Sequence, residues 1–145
     1  MSKPYKRIYI GGNFDTPHSG HIELLRKASE LAEEVVVALN TDEFAKRYKG
    51  KFPVMSLEER YRVISAIKYV SWVDINDGCE DSKSCILRNK PDAILHGDDW
   101  TGGSLATQMG LSEEFLKENK ITMVYVPYTK GISTTEVRNR VKNEN

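Results

Sequence analysis

The chain has 145 residues, 21 basic against 21 acidic side chains, and no formal net charge. That length supports one domain, 1–145, with a core of its own. The charge balance argues against a protein that coats nucleic acid or binds membranes through a strongly basic surface. No run approaches membrane-spanning length, and no apolar segment of signal-peptide type follows the basic N-terminal residues. The expectation is therefore a cytoplasmic protein that takes neither nucleic acid nor membrane as a partner.

The first element is a short β-prone run, Ile8-Tyr9-Ile10, closed by Gly11 and Gly12, where the backbone can approach something bulky. Ile22, Leu24, Leu25, Ala28, Leu31 and Ala32 then recur with helical period, predicting a helix over 20–33. His18 and His21, two of the three histidines, stand three apart at its start. Unpaired main-chain N–H groups and the helix dipole favour anions there, phosphate above all. Two imidazoles at such a site can donate to phosphate oxygens without a nucleophile. The plainer alternative is a pair of surface or capping histidines.

Val35-Val36-Val37-Ala38-Leu39 is continuously apolar and β-branched, as a strand buried on both faces of a parallel sheet reads. Strand, helix, strand makes a βαβ unit. Asn40-Thr41-Asp42 ends the strand and can cap a short helix over 43–48. Lys46-Arg47-Tyr48-Lys49-Gly50-Lys51 is the most basic short segment, either a solvated face or a focus of positive potential. Ser56 with Glu59 is a capping box for a helix reaching about residue 69. Arg60 either projects toward a phosphate pocket or is a surface arginine in an i,i+4 pair. A third strand is expected over 70–75, with Trp72 in the core or at a dimer contact. A helix over 80–89, a turn at Lys90-Pro91-Asp92 and a fourth strand, Ala93-Ile94-Leu95, follow. Cys79 and Cys85 fit no metal-ligand spacing and read as reduced.

His96-Gly97-Asp98-Asp99-Trp100 closes the fourth strand; a carboxylate there, Asp98 by preference, either serves a ligand or shapes the turn. The irregular stretch 101–112 is either a lid or an inert insertion carrying a short helix over 113–118. A fifth strand spans 121–126. Gly131-Ile132-Ser133-Thr134-Thr135 then opens a last helix over 136–142, a second hydroxyl-rich, phosphate-type helix start.

Three of these stretches together resemble the signatures of the nucleotidyltransferase superfamily: Gly12-Asn13-Phe14-Asp15 with His18-Ser19-Gly20-His21, then Gly97-Asp98-Asp99-Trp100, then Gly131-Ile132-Ser133-Thr134-Thr135. The resemblance is greatest to the small cytidylyltransferases typified by glycerol-3-phosphate cytidylyltransferase. It implies an α/β, Rossmann-like doubly wound sheet, mostly parallel, of about five strands flanked by helices. It also implies transfer of CMP from CTP to an alcohol phosphate, glycerol 3-phosphate by preference, with release of pyrophosphate. The same chemistry on a phosphonate, phosphoethanolamine or phosphocholine, transfer from ATP, and an inactive nucleotide-binding module stay open.

The resemblance assigns catalysis to His18 and His21. Nucleotide binding falls to Gly12, Asn13, Phe14, Asp15, Gly20, Gly97, Asp98, Gly131, Ile132, Ser133 and Thr134. Phosphate or acceptor contacts fall to Lys49, Lys51, Arg60, Lys83, Tyr128 and Lys130. Tyr128 stands where the family often has arginine, so Lys130 or Arg138 would supply that charge. Mg²⁺ is implied with the triphosphate, with no protein metal site, and a homodimer is implied. Replacing either histidine by alanine should remove turnover and leave the fold intact.

Overall fold

The computed structural model describes residues 2–78, 82–97 and 112–126. Its elements are β1 (Tyr5–Gly12), α1 (Ser19–Leu31), β2 (Ala32–Asn40), α2 (Asp42–Lys49), α3 (Leu57–Ser65), β3 (Trp72–Asn76), α4 (Lys83–Asn89), β4 (Ala93–Gly97), α5 (Glu113–Glu118) and β5 (Thr122–Val126). The five strands form one sheet in the order β3-β2-β1-β4-β5. Every pairing is parallel, as the expected Rossmann-like architecture requires.

Both faces of the sheet are covered. Ile8 and Ile10 of β1 join Val35, Val37 and Leu39 of β2 in a cluster with Leu25 and Ala28 of α1 and Ile64 of α3. Tyr9, Ala38 and Ile94, pointing the other way, pack with Cys85 and Ile86 of α4 and with Phe115 and Leu116 of α5. Alternation along a strand puts neighbouring residues on opposite faces. With helices on each face no strand position need be polar, which is why β2 reads as an unbroken apolar run. Each Val, Leu or Ile fully buried in this way contributes about 1.5–3 kcal/mol.

Several boundaries differ from the sequence expectation. α1 stops at Leu31, and Ala32 already pairs with Tyr5 as the first residue of β2. The apolar period runs through Ala32 because a strand residue facing the same cluster looks like one more helical position. α3 stops at Ser65, and Ile67, Tyr69 and Val70 pack on the core from the turn beyond it. β3 begins at Trp72, because Ser71 is used as a bracket: its N–H donates to the Val35 carbonyl at 2.8 Å and its Oγ accepts from Val35 N–H at 2.9 Å. Trp72 is 37% exposed on this edge strand, its Nε1 donating to Asn89 Oδ1 and the Arg7 guanidinium over its ring. α4 begins at Lys83, and the buried Cys85 is a free thiol.

The chain winds outward from β1 through β2 to β3, then returns to the other side of β1 for β4 and β5. The strand order therefore reverses between β1 and β4. Open α/β sheets hold ligands in the crevice beyond the carboxyl ends of the strands at such a reversal. Gly12 and Gly97 end the two strands that border it.

Candidate active site

Gly12 is followed by a tight, left-handed turn. Phe14 and Thr16 have φ of 50° and 45°, a region that costs non-glycine residues about 1–3 kcal/mol unless the surroundings enforce it. The Phe14 ring folds back over Gly12, where a Cβ would lie 3.3 Å from a ring carbon. Asp15 is buried, and its carboxylate accepts main-chain N–H bonds from Val54 at 2.8 Å and Met55 at 2.9 Å. These bonds tie the turn to the segment that leads into α3.

The turn delivers His18 to the N-cap of α1 and His21 to its third position. Gly20 N–H donates to His18 Nδ1 at 3.0 Å, and His18 N–H donates to His21 Nδ1 at 3.1 Å, a reciprocal capping box built from two imidazoles. The ring centroids are 4.1 Å apart, and His21 also lies 5.3 Å from the Phe14 ring. With each Nδ1 acting as acceptor, a neutral imidazole carries its proton on Nε2. Both rings are held neutral. Burial lowers the His18 pKa; burial, with His18 beside it, pushes His21 down to about 4 against the opposing pull of Asp15. The first turn of α1 has no acidic residue to compete for its dipole. The pair is therefore two neutral N–H donors at an anion-favouring helix start. The capping alternative and the catalytic one are not exclusive: the Nδ1 atoms cap, and the Nε2–H groups remain for chemistry.

Arg60 stands in a setting that neither sequence alternative describes. It is not a surface arginine; it is wholly buried. Its Nε donates to the Met55 carbonyl at 3.1 Å, Nη1 to the carbonyls of Asn13 at 2.8 Å and Asn40 at 2.9 Å, and Nη2 to Asp42 Oδ1 at 2.6 Å. Four of its five N–H groups are thus spent on the protein. The periodicity of α3 places it on the inner face, but an arginine there reads as polar and its burial is invisible until β1 and β2 are beside it.

A second feature of the strand ends is built from asparagines. Asn13, Asn40 and Asn76 follow or end β1, β2 and β3, and they bond across the strand ends. Asn40 Nδ2 donates to Asn13 Oδ1 at 2.7 Å, and Asn76 Nδ2 lies 3.4 Å from Asn40 Oδ1 and 2.9 Å from Ser82 Oγ. The signal was present, an asparagine recurring at the close of successive apolar runs.

The expected lysines among the described residues come from different parts of the fold. Lys49 is the last residue of α2, and Lys51 is exposed just beyond its left-handed Gly50 cap. Lys83 opens α4, on the face of the sheet opposite α1, with Nζ 5.7 Å from the Phe115 ring centroid. Gly20 lies in the first turn of α1 and Gly97 ends β4. Asp98, Tyr128, Lys130, Gly131, Ile132, Ser133 and Thr134 lie outside the described residues. Among the described residues no group of three or more His, Cys, Asp or Glu could hold a metal, and no helix is long and apolar enough to cross a membrane.

A five-stranded parallel sheet with its order reversed beside a histidine-capped helix start is a Rossmann-like α/β architecture. A family model, cytidylyltransferase-like, matches residues 9–140. Glycerol-3-phosphate cytidylyltransferase of Bacillus subtilis (strain 168) is 36% identical over 136 residues, 94% of this chain and 97% of that protein. FAD synthase of Pyrococcus abyssi is 34% identical over 135 residues, 93% and 91% respectively. Among solved structures, the lipopolysaccharide core biosynthesis protein of Thermoplasma volcanium GSS1 superposes with a TM-score of 0.73 at 25% identity, over 87% of this chain and 99% of that one. The chain belongs to the cytidylyltransferase-like family.

Proposed function

We propose that this protein transfers CMP from CTP to a small alcohol phosphate, glycerol 3-phosphate by preference, giving a CDP-alcohol and pyrophosphate. The observation that carries the reading is the imidazole pair at the start of α1, both Nδ1 atoms committed to main-chain N–H groups and both rings neutral. In the reaction an oxygen of the acceptor phosphate attacks the α-phosphorus of CTP in line. The bond from that phosphorus to the bridging oxygen breaks, and pyrophosphate departs with the electron pair. No covalent enzyme intermediate is needed; the protein aligns the reactants and stabilises the charge that gathers on the α-phosphate. His18 and His21 donate their Nε2–H groups to its oxygens. Lys49, Lys51, Lys130 and the hydroxyls of Ser133 and Thr134 hold the outer phosphates or the acceptor, with Asp98 at the ribose. Mg²⁺ would accompany the triphosphate, held mostly by oxygens of the nucleotide and water, and would neutralise part of its charge. The working form in this reading is a cytoplasmic homodimer.

A second reading keeps the chemistry and changes the donor. The similarity to FAD synthase favours it, since FAD carries an adenylyl group joined to FMN and ATP is a source of that group. Pyrophosphate release measured with CTP and with ATP against glycerol 3-phosphate, phosphoethanolamine, phosphocholine and FMN separates the two. Turnover with CTP and glycerol 3-phosphate supports the first, turnover with ATP and FMN supports the second, and nucleotide binding without turnover on any pair overturns both.

A further inference from the structure

We propose that Arg60 is a positioning residue for the histidine pair, acting through the turn between β1 and α1. Its guanidinium closes a ring of hydrogen bonds that grips both ends of residues 13–15. At one end Nη1 takes the Asn13 carbonyl directly. At the other, the Asp15 carboxylate holds the N–H groups of Val54 and Met55, and the Met55 carbonyl receives Arg60 Nε. Between those two anchors lies Phe14, the residue in the left-handed conformation, with its ring against His21. A strained conformation persists only where its surroundings over-determine it, and here the ring of bonds is what does so. The remaining bonds of Arg60, to the Asn40 carbonyl and Asp42, fix it to the end of β2 and the start of α2. One buried side chain thus sets the β1–α1 turn against the neighbouring strand and two helices.

The planar fork matters as much as the charge. A guanidinium presents donors along several fixed directions, whereas an ammonium is a compact point charge on a flexible stem. Arg60→Lys keeps a cation beside Asp42 and cannot span four acceptors. Asp15→Asn opens the same ring from its other side, since an amide offers one acceptor oxygen where two N–H groups now bond.

The test uses the full chain without ligand, labelled for ¹⁵N at histidine and ring protons at phenylalanine. The wild type shows His21 with protonated Nε2, acceptor Nδ1 and ring-to-ring cross-peaks to Phe14. Arg60→Lys, melting cooperatively, is expected to lose those cross-peaks and shift the His21 ring nitrogens. Asp15→Asn should do the same, and the double variant should add little to either single change, as for groups in one network. The kinetic arm rests on the proposed nucleotidyl transfer: kcat falls about tenfold or more while KM for CTP stays within about threefold, because small misplacements tell on the chemical step. A folded Arg60→Lys with the wild-type histidine signature overturns the proposal. Should that variant not melt cooperatively, the same signature in Asp15→Asn decides it, an unchanged pattern being the adverse result. Loss of the signature with no turnover on any donor in the wild type counts against the functional reading and leaves the role of Arg60 standing.

Discussion

The main-chain N–H of His18 donates to Nδ1 of His21, and this one bond joins helix capping to the orientation of the His21 ring. A capping box in most helices is made by a hydroxyl and a carboxylate, which have nothing further to give. An imidazole has a second nitrogen on the far side of its ring. Using Nδ1 for the cap leaves each ring oriented, neutral and holding its proton on Nε2.

It follows that alanine, though expected to leave the fold intact, is not silent for stability at these positions. His18→Ala removes an N-cap and should cost about 0.5–2 kcal/mol of stability. His18→Asn supplies a side-chain oxygen that can accept the same bond and should recover most of that loss. Chemical denaturation of the wild type and both variants checks the order; equal stability of alanine and asparagine variants would remove the capping role.

Burial of the same two rings predicts how stability responds to acid. In the unfolded chain His21 takes up its proton near pH 6.5, whereas in the fold it does so near 4. Between those values the unfolded state binds more protons, so stability contributed by the neutral ring is complete above about pH 6.5 and drains away as pH falls toward 4. His18, also lowered, adds in the same direction. Melting temperatures measured from pH 7 to 4 should fall more steeply for the wild type than for His21→Asn. Parallel curves would contradict this.

Gly78 sets how α2 meets the end of β3. It has φ +56°, and a Cβ on it would come within 2.4 Å of the Phe44 ring, while Arg47 Nη2 donates to the carbonyls of Asp77 at 2.8 Å and Gly78 at 3.0 Å. Gly78→Ala should cost about 1–3 kcal/mol through overpacking, with backbone strain added. Pairing it with Phe44→Leu should return part of the loss, read as non-additive melting shifts.

The asparagine bridge across the strand ends is testable alone. Asn40→Ala leaves Asn13 Oδ1 without its donor and removes the acceptor facing Asn76. A cost of about 1–3 kcal/mol is expected for buried polar groups left unmade. Hydrogen exchange should locate the loss at the carboxyl ends of β1–β3; protection there equal to the wild type would show that the bridge carries no stability.

What could be read from sequence divides along a physical line. Val35 to Leu39 announces itself because a strand covered on both faces has no polar position to obscure it, and the Ser56–Glu59 capping box is wholly local. The capping of α1 by His18 and His21 is legible because it depends on three-residue spacing at one helix start. Arg60, Asn40 and Asn76 are not, since each acquires meaning only from carbonyls and amides that other strands bring alongside. The left-handed Phe14 and Thr16 are hidden for a related reason: neither residue type advertises such a backbone, and the bonds that enforce it come from residues about forty positions later. The ends of α1 and α3 were overrun because core-facing residues continue past the last helical turn.

Pyrophosphate release from CTP in the presence of glycerol 3-phosphate, compared between the wild type and a stably folded His18→Asn, bears most directly on the central claim. The wild type should turn over, and the variant, its cap intact but its Nε2–H gone, should be slower by about 100-fold or more, as when one donor to a developing oxyanion is deleted. A variant turning over at the wild-type rate would contradict the account.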